Sequence, residues 1–422
     1  MLTGRLERLG EVKLGGPVAK IRLAPGRREL CALLADRDEA LLVTWDEGKA
    51  PKIAARLGSG AVLPKKPKGA EKRYLDLAYD PAGERLALAG VGRAVEVYRV
   101  PGGERLRELG PAATDPKEQI EKEIARYKSL GIKPSKEVIA GIRLAHEKGS
   151  PESYTAVAFS PDSHLVLAAA HEAKTSLAID SSAGHTVATF WGAPDQVTYV
   201  PHPAGEIFAM VETQWGEPMP SGTVRFGRFT KKGVELRSRA IEVNGLRPHG
   251  ASWSPDGRRL VCVGMEASVT LTVIDFPSCR TLYDFADLTS KQKLPLRQLK
   301  LAPPWTERVV WSPSGDRLLC PFPNGMLVEV DVARGEALRR LDAHDTLILS
   351  CDARFEDRTL ATAGLDGTLR LFRSPFDGEP VKPAADAPKA YLRSAKVVDA
   401  FQPEWDLDIN DEDVPQRGVD KL

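Results

Sequence analysis

His344, Thr362 and Asp366 are a histidine, a hydroxyl and a carboxylate within one short stretch, the residue types from which acid–base or nucleophilic sites are built. Asp366 is followed by glycine, in TLATAGLDGTLRLF (359–372), so it stands in a tight turn between two apolar runs. A carboxylate there normally satisfies its own turn, and a neighbouring histidine normally braces it. The expected role is therefore structural. Other candidates are thinner. Asp406, Asp408 and Asn410 open with the spacing of a calcium loop, but Asp411 stands where glycine is required and Arg417 where glutamate is required, so no metal is expected. The seven histidines show no ligand spacing; His164, His171 and His185 fall near turns and strand ends. The chain contains no G-x-S-x-G, H-E-x-x-H or G-x-x-x-x-G-K-[ST], and no cofactor is implied.

The elements that would position these residues recur. An apolar run, a small polar turn and a second apolar run repeat as RLAPGRREL, AYDPAGERLALAG, AFSPDSHLVLAAA, VPHPAGEIFAMV, SWSPDGRRLVCVG, VWSPSGDRLLCPF and DARFEDRTLATAG. A second turn signal follows most of them, as in VEVYRVPGGERLREL and VEVDVARGEALRRL. Each unit reads as four antiparallel strands, with a period of about 40 residues where connections are short. Such a sheet cannot bury both faces alone, and a ring of them can. The expected fold is all-β, a seven-bladed β-propeller with blades starting near Val18, Tyr74, Tyr154, Gln196, Gly250, Arg308 and Leu347. The last unit lacks a fourth strand after Phe372. TGRLERLG (3–10) resembles the fourth strands GGERLRELG and GEALRRLDA, so the N-terminal segment is expected to close the ring. Residues 1–374 would form the propeller, and 375–422 a Pro/Ala linker with an acidic tail.

The last unit resembles the WD-repeat family. His344 precedes Thr362, Asp366 and Phe372 at the spacing at which that family holds His, Ser or Thr, Asp and Trp in a buried hydrogen-bonded network. Phe372 lacks the indole donor, which shortens the network by one bond. Trp45-Asp46 ends a third strand as the family's naming dipeptide does. Gly92 and Asn324-Gly325 stand at the corresponding turns of blades two and six, which lack the full set. The resemblance implies a non-catalytic scaffold or accessory subunit that binds protein partners, as a monomeric propeller within a larger complex.

In a propeller the first-to-second and third-to-fourth turns share one face. The second-to-third turns and blade connections share the other. Every long connection falls in the second set: 57–73, 110–152, 212–222 and 286–305. Scaffolds carry function where connections lengthen, so recognition is expected on that face. The longest, 111–150, reads as a helical hairpin. Thr114 or Asp115 caps before Pro116, Ile120, Ile124 and Tyr127 form one stripe, and Val138, Ile139, Ile142 and Ala145 form another after Ser135. Candidate partner contacts are Tyr127 and Ile142 there, Trp215 and Met219 in the Gly/Pro-rich loop of blade four, and Trp405 in the tail. Tyr391, Phe401 and Trp405 could instead dock the tail along the propeller.

The first strands would line the channel with Lys20, Arg22, Asp76, Thr198, His202 and Arg308. One carboxylate does not make a metal-assisted site, and a lactonase-like hydrolase with its site at the channel mouth is the alternative function. A net charge of +1 sets up no field for nucleic acid or an anionic membrane, and the basic loop 65–73 lacks interleaved aromatics. No stretch approaches the ~20 apolar residues of a membrane span. Five scattered cysteines and an N-terminus without an apolar signal core read as a cytoplasmic protein with reduced thiols.

Overall fold

A computed structural model describes residues 2–63, 73–109, 121, 124, 153–170, 175–192, 196–214, 221–231, 233–243, 248–265, 269–284, 308–322 and 324–395. These residues form seven separate sheets, each with four antiparallel strands. Blade one spans 18–62, blade two 73–109, blade three 154–192, blade four 196–243 and blade five 248–284. Blade six spans 310–342, and blade seven takes 348–373 with one strand from the N-terminal segment.

Sequence pattern explains why the sheets form a ring. The second strands Glu29–Leu34 (ELCALL) and Leu165–Ala170 (LVLAAA) are buried at every position. Successive side chains of a strand face opposite ways, so both faces of these strands must be covered. In blade one, Leu30, Ala32 and Leu34 pack toward blade seven, whereas Cys31 and Leu33 pack toward blade two. The same division holds around the molecule. Seven apolar cores each lie between one pair of adjacent blades. The core between blades seven and one closes the circle. Outer strands such as Glu336–Asp342 are only partly covered and accordingly carry more charge.

The recurring Ser-Pro turns have a shared hydrogen-bond logic. Ser254 Oγ donates to Asp256 (2.6 Å) and accepts from the Arg259 N–H (3.0 Å). Ser160 does the same with Asp162 and Leu165, and Ser312 with Asp316 and Arg317. In blade two Asp80 takes over, accepting from the N–H groups of Glu84 and Arg85. Arginines beside three of the first-to-second turns then grip the next blade. Arg85 donates to the Ser163 carbonyl, Arg259 to that of Gly315 and Arg354 to that of Ala24.

Closure differs from the expected strand at 3–10. Arg8–Lys13 pairs antiparallel with Thr368–Arg373, running from Arg8 opposite Phe372 to Lys13 opposite Thr368. Leu2–Arg5 instead adds a fifth strand, parallel to Glu336–Asp342, on blade six. The segment breaks at Leu6–Glu7 because the two halves face different cores: Leu6 packs between blades six and seven, while Leu9 and Val12 pack between seven and one. The helical hairpin expected over 111–150 lies outside the described residues apart from Glu121 and Ile124. The helix described from end to end is Asp386–Ser394.

The stretch read as a Pro/Ala linker lies against the ring. Phe376 is buried between blades six and seven. The Val381 N–H bonds the Pro313 carbonyl (2.9 Å), and the Ala384 N–H bonds that of Asp256 (2.8 Å).

Candidate functional site

Blade seven holds the His344 group in its interior. His344 Nε2 and Thr362 Oγ1 lie 2.8 Å apart, and both residues are buried. Burial, and next the Arg370 charge, lower the imidazole to about 4 against the opposing pull of Asp366. The ring is therefore neutral near pH 7. Asp366 accepts from the Thr368 N–H (3.0 Å), Thr368 Oγ1 (2.6 Å) and Lys13 Nζ (3.2 Å). His344 Nδ1 and Asp366 Oδ1 both crowd over Gly364, each 2.7 Å from where a Cβ would stand. Phe372 contributes apolar burial in the core between blades six and seven. The hydrogen bonds thus bring His344 to Thr362 and Asp366 to its own turn and the closing strand. His344 and Thr362 are buried, whereas Asp366 and Lys13 lie at the surface.

The inner strands gather charge on blades one, two, six and seven. Lys20 Nζ meets Asp76 at 2.7 Å, and Arg308 meets Asp352 at 3.3 Å. Arg22 donates to the Ile21 carbonyl, and burial, followed by the Arg308 charge, lowers it to about 10. The carboxylates also bind backbone of the next blade. Asp76 accepts from the Val157 N–H (2.8 Å) and Asp352 from the Leu23 N–H (2.9 Å). Ser350 Oγ accepts from the Ile21 N–H, and the indoles of Trp253 and Trp311 donate to the Val200 and Ser252 carbonyls. These side chains seal blade to blade. Asp352 is not among the channel residues expected from sequence; its strand spans Ile348–Arg354, and the polar alternation Ser350, Asp352, Arg354 is the signal for it. Thr198 is half-buried on its inner strand.

His202 does not line the channel. It sits at the first turn of blade four, where Nδ1 accepts from the Ala204 N–H (3.1 Å) and Nε2 donates to the Gly257 carbonyl (2.9 Å) of blade five. Its ring lies edge-on to Trp253 at 4.7 Å. Among the described residues no three His, Cys, Asp or Glu side chains converge as metal ligands would.

A second polar cluster, not anticipated from the sequence, lies between blades one and two. Buried Arg93 pairs with Asp38 (2.5 Å) and Glu96 (3.2 Å) and stacks over the Tyr74 ring at 4.0 Å. Tyr74 and Tyr98 hydroxyls both donate to Glu96 (2.7 and 2.9 Å), and burial pushes the Tyr98 phenol up to about 12. Ser59 Oγ donates to Asp38 at 2.7 Å. Ser59 and Tyr74 flank the connection 63–72, so this cluster fixes the base of a long loop. Its sequence signal is the charge and hydroxyl pattern of VEVYR inside an otherwise apolar blade.

The strand ends separate the two faces. First-to-second turns occupy 24–28, 80–84, 160–164, 202–206, 254–258, 312–316 and 355–358. The strands that flank 63–72, 110–153, 215–220 and 285–309 end on the opposite face. Tyr127, Ile142, Trp215, Met219 and Trp405 all lie outside the described residues, as does Phe401. Tyr391 is described and buried, against Phe226 and Phe276 on the short-turn side.

The family profile of the WD domain, G-beta repeat, matches residues 335–373, the outer strand of blade six and the described strands of blade seven. The chain is a WD-repeat β-propeller. No curated protein is matched by the sequence. WD-repeat propellers generally serve as interaction scaffolds and are typically not enzymes. Among the described residues no helix is long and apolar enough to cross a membrane.

Proposed function

We propose that this WD-repeat propeller is a non-catalytic scaffold or accessory subunit that binds a protein partner through the face carrying the long connections. The observation that carries this reading is the sorting of connection length by face. Each first-to-second turn spans four or five residues locked by its own hydrogen bonds, whereas the strands that flank 63–72, 110–153 and 285–309 end on the other side. The buried Arg93 cluster supports the reading because it gives the loop at 63–72 a rigid base. Recognition loops on a rigid scaffold lose less entropy on binding. The channel carboxylates support it too, since each is already engaged by a cation and by backbone.

The test is affinity capture with mass spectrometry. The intact chain is compared with one in which 112–149 is replaced by a short Gly/Ser linker, and with one carrying Trp215→Ala and Met219→Ala. A partner held by the intact chain and lost from either variant is the expected result. Equal capture by all three would overturn the assignment of the face.

A further inference from the structure

After Arg373 the chain returns across the short-turn face of blades six and five and ends its described course as the helix Asp386–Ser394 between blades five and four. The helix rests in an apolar groove. Ala387 and Tyr391 are 1% and 3% exposed, and Leu392 and Ala395 pack beside them. The Tyr391 ring lies 5.2 Å from both Phe226 and Phe276, and Trp253 completes the aromatic wall. Arginines from the propeller bracket the helix. Arg258 grips the Asp386 carboxylate in its first turn (3.0 and 3.1 Å), and Arg237 donates to the Ala395 carbonyl at its end (3.3 Å).

Three features mark the helix as an occupant of the groove. Nine residues without a side-chain cap are too short to be helical alone, so the groove supplies the fold. The sheets of blades four and five are each complete with four strands without it. The propeller supplies what a helix-binding groove requires: an apolar wall, a cation at the helix C-terminal end that complements its dipole, and an arginine that pairs with the acidic side chain in its first turn.

We propose that this groove is a helix-binding site that the chain fills with its own residues 386–394, and that it accepts in exchange a partner helix with an acidic residue in its first turn and an aromatic side chain five residues later. This site is on the opposite face from the one proposed above and does not depend on it. Tethered in cis, the resident helix competes at an effective concentration on the order of millimolar. A partner therefore binds measurably only when it is tight or when the resident helix is weakened.

A fluorescein-labelled peptide of residues 383–395 tests this by polarisation against the full-length chain. Tyr391→Ala should bind it at least about tenfold more tightly than the parent, because the competitor has lost its anchor. Adding Arg258→Glu should abolish that gain, and a peptide with Asp386→Lys should restore it. Equal binding by parent and Y391A, both folded by circular dichroism, would overturn the proposal. So would binding indifferent to Arg258→Glu. A Y391A chain that fails to fold would make the helix a permanent part of the core and overturn it as well.

Discussion

At the residue scale, two kinds of group respond to single substitutions or pH in ways the structure separates: buried histidines and glycines in turns. His344 has its folded pKa lowered to about 4 from an ordinary 6.5, with burial the largest cause. The unfolded chain thus binds the proton more readily. The stabilising contribution is complete above about pH 6.5 and is lost as pH falls toward 4, at most about 3 kcal/mol. Urea melts between pH 7.5 and 4.5 should show a fall that is shallower in His344→Asn; superimposable profiles would contradict this account. His202 is lowered in the same sense by burial, so part of the fall should remain in that variant. Glycine roles can be separated. Gly26 and Gly83 both have positive φ (64° and 67°), but a Cβ on Gly26 meets nothing within 4 Å, whereas one on Gly83 would stand 2.3 Å from the Pro25 carbonyl oxygen. Gly26→Ala should cost about 1 kcal/mol and Gly83→Ala about 3 or more, read as the difference in denaturation midpoints. The Asp366 turn was legible from sequence because Asp-Gly between apolar runs has one local meaning. Asp352 and the Arg93 cluster were not, because their partners lie on other blades: Asp352 meets Leu23, and Arg93 meets Asp38.

At the scale of elements, the strands read directly because the turns punctuate them. The APGR, PAGE, PDSH and PDGR turns fall at 24–27, 81–84, 161–164 and 255–258, inside the gaps between first and second strands. The N-terminal strand was harder. LERLG resembles a fourth strand by composition, but its register is set by which core receives each leucine, and that is a property of the closed ring. The tail shows the same limit, since its Pro-rich stretch reads as a linker until the blade-five and blade-six turns supply carbonyls to bond it. Inner strands join through side chains, so their loss should be felt between blades. Asp76→Ala removes the partner of partly buried Lys20 and the acceptor of the Val157 N–H, and should cost about 3 kcal/mol. Adding Lys20→Met should recover part of that loss. A double variant no more stable than D76A would show that the ion pair does not couple these blades.

At the scale of the whole molecule, the N-terminal segment 2–13 and the stretch 374–395 act as staples on one half of the ring. The N-terminal segment pairs with blade six and then blade seven, and residues 374–395 cross six and five to reach blade four. The opposite half has no such staple among the described residues, and the connection 110–153 arises there. Each of the seven cores is built from the strands of two adjacent blades. Replacing 112–149 with a short Gly/Ser linker should therefore leave the thermal midpoint within a few degrees of the parent, and loss of the cooperative transition would mean that this segment belongs to the core. The claim that matters most is that the long-connection face is the recognition face. Hydroxyl-radical footprinting of the chain alone and with its captured partner tests it most directly. Protection should concentrate in 63–72, 110–153, 215–220 and 285–309, with the turns at 24–28, 80–84 and 160–164 unchanged. Protection confined to those short turns would contradict the account.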